Sequence, residues 1–179
     1  YNAEKFLKKT LSSLTSQKRN NIEIICVNDN SNDKSARICE EFSKKYQYIK
    51  ILKNKKNVGV GKSRNRGIHT AKGKYLIFLD SDDTLFKNSL LNLQRLILSS
   101  NNPDLIILKH KKSTHPKTNY EFIKKVNFKN KSPLKLMSYI RNFDVPFADR
   151  WFFSIRRELL KKNKILFPET RFGESEYFV

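Results

Sequence analysis

The 179-residue chain predicts an α/β domain, a mostly parallel sheet with helices on both faces. Three observations predict it. Short apolar runs alternate with stretches whose apolar residues recur at helical spacing. The runs are continuous rather than alternating, as in strands buried on both faces. Two of them end abruptly in acidic clusters, at Asp29 and at Asp80. In such sheets ligands bind beyond the carboxyl ends of the strands, so both clusters are candidate site residues on position alone.

Residues 4–17 predict the first helix, with Leu7, Leu11 and Leu14 on one stripe. Residues 22–27 are a β-prone run that stops at the polar Asn28-Asp29-Asn30-Ser31-Asn32-Asp33, a loop and helix start. Ala36, Cys39, Phe42 and Tyr46 carry the next helix, and 48–52 the next strand. Asn57-Val58-Gly59-Val60-Gly61 predicts a loop, followed by a helix to Ala71 that Gly73 stops. Residues 75–79 are a wholly apolar strand, 88–100 a leucine-rich helix, and 105–108 a further strand. Beyond about residue 110 the character changes. Residues 111–135 interleave lysines with Tyr120, Phe122, Val126 and Phe128, which fits two exposed strands or a long loop; 133–142 and 156–163 look helical. No repeat or linker divides the chain, so one domain over 1–179 is expected, with 1–110 and 111–179 as its halves. The chain opens on a tyrosine, and the expectation is a domain truncated at both ends.

Lysine and arginine total 37 against 17 acids, a net charge of +20. That excess favours an anionic partner, whether nucleic acid, an acidic membrane surface or an anionic substrate. A lysine-rich solvated surface gives the same count. No run approaches the roughly 20 apolar residues of a membrane-spanning helix. Cys26 and Cys39 have no metal-type spacing. As two buried thiols, one in a strand and one on a helix face, they suit a reducing cytoplasm.

Asp80 and Asp82 flank Ser81 at the end of the apolar strand. Two carboxylates one residue apart in a tight turn can face one hard cation. Mg²⁺ and Mn²⁺ take oxygen ligands, and Mg²⁺ commonly binds one or two carboxylates plus substrate phosphates. The same acids, with Asp83 and Thr84, also fit a helix start. His69, His110 and His115 form no metal spacing and are read as structural or surface residues, and Trp151 as a packing residue.

Several motifs, in order, resemble the family-2 glycosyltransferases of the GT-A fold. Tyr1-Asn2-Ala3-Glu4 is similar to the end of the opening P-x-Y-N segment. Val27-Asn28-Asp29-Asn30-Ser31-Asn32-Asp33 is similar to V-D-D-G-S-x-D. Asn57-Val58-Gly59, with Ser63-Arg64-Asn65-Arg66-Gly67, resembles N-x-G-x-x-x-A-R-N-x-G. Phe78-Leu79-Asp80-Ser81-Asp82-Asp83 resembles F-L-D-x-D-D, and a weaker likeness runs from Arg156 to Pro168. The resemblance covers nearly the whole chain, with 1–110 as the nucleotide-sugar half and 111–179 as the acceptor side. It implies that Tyr1 and Asn2 begin the nucleotide pocket and that Asp29 accepts a hydrogen bond from the base, usually uracil. Gly59 would permit close backbone approach or an unusual dihedral. Arg64 would lie near the donor phosphates, where a guanidinium fork suits anionic oxygens. Asp80 would contact the donor ribose or the metal, with Ser81 beside it, and Asp82 would bind the metal, Mn²⁺ or Mg²⁺. The family transfers a sugar from a nucleotide-sugar to a hydroxyl with inversion, a carboxylate taking the proton. The family often carries that base in G-E-D-x-x-F. Here Gly173-Glu174-Ser175-Glu176-Tyr177-Phe178 puts serine at the aspartate position, which leaves Glu174 and Glu176 as candidate proton acceptors.

The implied partners are a nucleotide-sugar donor and a glycan or glycolipid acceptor of a bacterial envelope. The enzyme is expected in the cytoplasm, where its cation excess would favour docking on the anionic inner-membrane leaflet. Two other classes fit parts of the chain. Asp80-Ser81-Asp82-Asp83-Thr84-Leu85 matches the D-x-D-x-T-L signature of haloacid dehalogenase phosphatases. That signature normally opens a first strand, whereas here three strands precede its loop. A basic nucleic-acid-binding domain would use the charge and the lysine–aromatic segment. No recognition helix or RNP-like motif accompanies them, so no nucleic acid is expected.

Overall fold

Between residues 4 and 108 every helix and strand that the sequence pattern predicts is formed, most within two residues of the expected ends. The computed structural model describes residues 1–17, 21–111, 119–126, 153–167 and 169. The elements are α1 (Glu4–Thr15), β1 (Ile24–Asn28), α2 (Ser35–Lys45), β2 (Ile49–Lys53), α3 (Val60–Thr70), β3 (Tyr75–Ile77), α4 (Ser89–Ser99), β4 (Leu105–Lys111), β5 (Asn119–Val126), β6 (Phe153–Arg156) and α5 (Arg157–Lys162). Among its described residues, the lysine–aromatic segment contains the strand β5. The helix expected over 133–142 and Trp151 lie outside the described residues.

β1 and β2 pair in parallel, Ile24 opposite Ile49 through Asn28 opposite Lys53. A second sheet has the order β3-β6-β4-β5, and its pairings are all antiparallel. The parallel character expected of the whole sheet is therefore confined, among the described pairings, to β1 and β2. The difference lies in β6, whose last residue, Arg156, the helical spacing had absorbed into the following helix. It inserts between β3 and β4, and Ile155 is fully buried.

Strand alternation sends successive side chains to opposite faces, and both faces are covered. From β3 and β4, Leu76, Phe78 and Leu105 pack with Ile68 of α3 and Leu160 of α5. Their neighbours Ile77, Leu79 and Ile106 pack instead with Leu93 of α4 and Leu14 of α1. On the first sheet, Ile24, Cys26 and Ile51 meet Leu7 and Leu11 of α1 and Cys39 of α2. Both cysteines are free. The adjoining Cys39 thiol and burial push Cys26 above the ordinary thiol range, as suits a thiol packed among apolar side chains.

Helix ends are held by side chains from elsewhere in the chain, because the residues preceding α1, α2 and α4 supply no side-chain cap. Asp33 accepts from the Glu4 amide (2.9 Å) and the Ser35 amide (2.9 Å), while Glu4 accepts from the Lys34 amide (2.8 Å). α1 and α2 thus cap each other. The polar stripe of α1 holds the chain beyond β3. Thr10 donates to the Ser81 carbonyl (2.8 Å), Ser13 accepts from the Leu85 amide (3.1 Å), and Gln17 accepts from the Leu90 amide (3.0 Å) in the first turn of α4. Both candidate loops are therefore anchored on α1.

Candidate active site

Asp29 follows the last residue of β1 and is buried, with 4% of its surface exposed. Its carboxylate accepts from the Val58 amide (2.9 Å), the Gly59 amide (2.8 Å) and Asn54 Nδ2 (2.7 Å). A carboxylate has about four lone-pair sites, so three donors leave room for a further one. Asn54 also donates to Ser63 Oγ (3.0 Å) and accepts from Arg66 Nη1 (2.6 Å). This buried network ties β1, the loop after β2, and α3 into one unit. Gly59 sits at φ 91°, ψ 162°, directly before α3. That region is essentially restricted to glycine.

The opening residues dock onto the loop after β1. Asn2 donates from its amide to Ser31 Oγ (3.1 Å) and accepts at Oδ1 from the Asn32 amide (3.0 Å). Tyr1 is exposed, and its hydroxyl accepts from Asn32 Nδ2 (3.3 Å). Asn30 holds φ 59° at the position where the resembling motif has glycine. Asparagine tolerates the left-handed region better than other non-glycine residues, so the substitution keeps the turn.

On the other side stands Arg64, whose Nη2 donates to Asp80 Oδ1 at 2.8 Å. The Arg64 side chain is 13% exposed and that of Asp80 47%. The Asp83 amide donates to the Asp80 carbonyl (3.1 Å), closing a tight turn, and Asp82 projects from it into solvent. Tyr1, Asp29, Arg64, Asp80 and Ser81 all line one cavity of about 680 Å³, whose walls include both β1 and β3. Asn2 and Gly59 join this group through Ser31 and Asp29; Asp82 stands outside the lining.

Among the described residues no set of three or more His, Cys, Asp and Glu side chains converges as a metal cage. The donor set nonetheless fits the cation expected here. Asp82 is exposed and Asp80 half-exposed one residue apart, and Mg²⁺-type sites commonly take one or two carboxylates and complete their shell with substrate phosphates and water. Glu174, Glu176 and Ser175 lie outside the described residues.

The sequence pattern passed over three site residues. Asn54 carried no local signal, since its partner Asp29 lies 25 residues away. Ser63 and Phe167 lie in segments of the resemblance that assigned them no role. Asn65 Nδ2 donates to the Phe167 carbonyl (2.8 Å) and Asn65 Oδ1 accepts from the Phe167 amide (2.7 Å), across 102 residues. The Phe167 ring lies under the Arg64 guanidinium, 5.1 Å from Cζ to the centroid.

Known proteins resemble this chain over most of its length. The family described as "Glycosyl transferase family 2" matches residues 1–163. The cholesterol galactosyltransferase of Borreliella burgdorferi is 32% identical over 176 residues, covering 92% of this chain and 48% of that protein. The poly(ribitol-phosphate) beta-glucosyltransferase of Bacillus spizizenii is 33% identical over 178 residues, covering 94% and 26%. The crystal structure of S. aureus TarS 1–349 in complex with UDP-GlcNAc superposes with a TM-score of 0.76 at 27% identity, covering 98% of this chain and 49% of that one. The chain thus spans about half or less of the length of these relatives. The fold is the GT-A fold that the motifs implied, and the haloacid dehalogenase alternative for Asp80 and Asp82 is set aside. The chain belongs to glycosyl transferase family 2.

Proposed function

We propose that this chain binds a UDP-sugar, with Mn²⁺ or Mg²⁺, and transfers its hexose or N-acetylhexosamine with inversion to an acceptor hydroxyl in bacterial envelope glycan synthesis. The observation that carries this reading is that Asp29 and Asp80, each just past the end of a strand, line one cavity together with Arg64, with Asp82 exposed beside Asp80. The solved TarS complexes with UDP and UDP-GlcNAc support the donor. The poly(ribitol-phosphate) glucosyltransferase and the minor teichoic acid biosynthesis protein GgaB of Bacillus subtilis support an envelope glycan acceptor, and the cholesterol galactosyltransferase a lipid one. A cytoplasmic enzyme resting on the anionic membrane leaflet suits the +20 charge. Among the described residues no helix is long and apolar enough to cross a membrane.

The residues divide the work. Asp29 takes a ring N–H of the base at its remaining acceptor position, while the Gly59 turn shapes the wall beside it. Arg64 donates to oxygens of the diphosphate. Asp82 and Asp80 would hold the cation, which when bound stabilises negative charge on the departing diphosphate. The acceptor oxygen forms a bond to the anomeric carbon as the bond from that carbon to the diphosphate breaks, and the electron pair leaves with UDP. The acceptor proton passes to a carboxylate, assigned to Glu174 or Glu176 because a serine at position 175 is a poor base.

Titration calorimetry with UDP in Mn²⁺, in EDTA, and after Asp82→Ala tests this reading. Binding that requires the metal and weakens at least about tenfold in the variant is expected, since a lost charge-assisted ligand contributes about 1.5–3 kcal/mol. Binding of GDP or dTDP in place of UDP would revise the donor, and binding of no nucleotide would overturn the reading.

A further inference from the structure

Arg64 faces a conflict if the proposed function holds. Asp80, with which it forms an ion pair, is also the residue assigned to the donor ribose or the cation. Once Asp80 turns to either, that ion pair no longer holds the guanidinium. A neutral contact remains. The Phe167 ring lies 5.1 Å from Arg64 Cζ, within the range of about 6 Å at which a ring face attracts a cation.

That ring is itself fixed on two sides. Phe167 is 1% exposed. Phe78, two residues before Asp80, meets it edge-on at 4.9 Å and 74°. Asn65, the residue after Arg64, holds both its amide and its carbonyl at 2.7 and 2.8 Å. A side-chain amide that satisfies both backbone groups of a buried residue sets its position as a strand partner would, and breaking either bond leaves a buried polar group unpaired. Cation, ring and clamp therefore come from adjacent positions on α3 and one distant segment.

We propose that Phe167, held by Asn65, is a positioning residue whose ring keeps the Arg64 guanidinium in place for the donor diphosphate when Asp80 is engaged elsewhere. This rests on the reading of Arg64 as a phosphate-side residue. It predicts a selective effect: the ring matters for a ligand with a β-phosphate and not for the base and ribose.

The test compares UDP and UMP binding, with Mn²⁺, in the full wild-type chain and in Phe167→Leu, Phe167→Tyr and Asn65→Asp. Phe167→Leu is expected to weaken UDP about three- to tenfold, the range of a partly buried cation–π contact, and to leave UMP within twofold. Phe167→Tyr, which keeps the ring, should restore the wild-type UDP-to-UMP ratio. Asn65→Asp keeps an acceptor for the Phe167 amide but sets a carboxylate against its carbonyl, and should shift the ratio as Phe167→Leu does; it serves as the second variant if Phe167→Leu does not fold. Equal weakening of both ligands would show a merely structural role, and an unchanged ratio would show that the ring is not needed; either overturns the inference. Absence of UDP binding in the wild-type chain would instead overturn the donor reading, and this inference with it.

Discussion

Gly59 has the most constrained backbone in the site. At φ 91°, ψ 162° its amide reaches Asp29 Oδ2 at 2.8 Å, and an L side chain there is strained whatever the space around it. Gly59→Ala should cost about 1–3 kcal/mol, read as a lower denaturation midpoint at unchanged slope. Asn30, at φ 59°, provides the contrast. Asn30→Gly should be close to neutral, and Asn30→Ala should destabilise by about 1 kcal/mol. Equal stabilities for Gly59→Ala and the wild type would mean that the turn relaxes without Asp29. At this scale the sequence was informative where a motif position demands a backbone conformation, as at Gly59. It was silent at Asn54, because nothing local marks an asparagine whose partners are an aspartate on another strand and a serine on the next helix.

Helices α1, α2 and α4 were legible from their apolar spacing, and Asp33 fell in the polar cluster read as a helix start; that it also caps α1, and that Gln17 caps α4, was not legible, since those bonds join separate elements. Asp33 accepts the amides of Glu4 and Ser35. Partial desolvation pushes its pKa up, but hydrogen bonds from the Ser35 side chain and from the Glu4 and Ser35 amides outweigh that and hold it below the ordinary carboxyl value of 3.8. A depressed folded pKa means stabilisation that is present above the unfolded value and lost as pH falls through the folded one. Asp33→Asn leaves one accepting oxygen for two amides, so it should be less stable than wild type by about 1 kcal/mol at pH 7, with the gap closing below pH 3.8. Gln17→Ala orphans the Leu90 amide of α4 and should cost about 1 kcal/mol. Glutamine does not titrate, so that gap should persist through the same pH series. Urea denaturation from pH 3 to 7 separates the two, and a constant Asp33→Asn gap would remove the charge-based cap.

At the scale of the molecule, continuous apolar runs announced a covered sheet, and the acidic clusters fell just beyond the carboxyl ends of β1 and β3. The pairing of β6 between β3 and β4 did not show, because strand order is set by contacts between segments about fifty to eighty residues apart. Charge acts at this scale too. Between Glu41 and Asp80 the sequence carries eleven lysines and arginines and no acid. Pairs such as Arg37–Glu41 and Lys62–Glu169 are exposed and contribute about 0–1 kcal/mol each, a gain that salt removes. Opposing this is the self-repulsion of a net +20, which acts at long range when the Debye length is about 30 Å at 0.01 M salt and is cut to about 8 Å at 0.15 M. Repulsion should win, because the 37 lysines and arginines exceed the 17 acids by 20. Raising NaCl from 10 to 150 mM should lift Tm by several degrees. A polyanion such as inorganic polyphosphate should match that rise at micromolar concentration, because binding to the folded state stabilises it by mass action. A Tm that stays flat or falls in salt would mean that the cations are locally compensated, and would remove the electrostatic ground for an anionic membrane or acceptor.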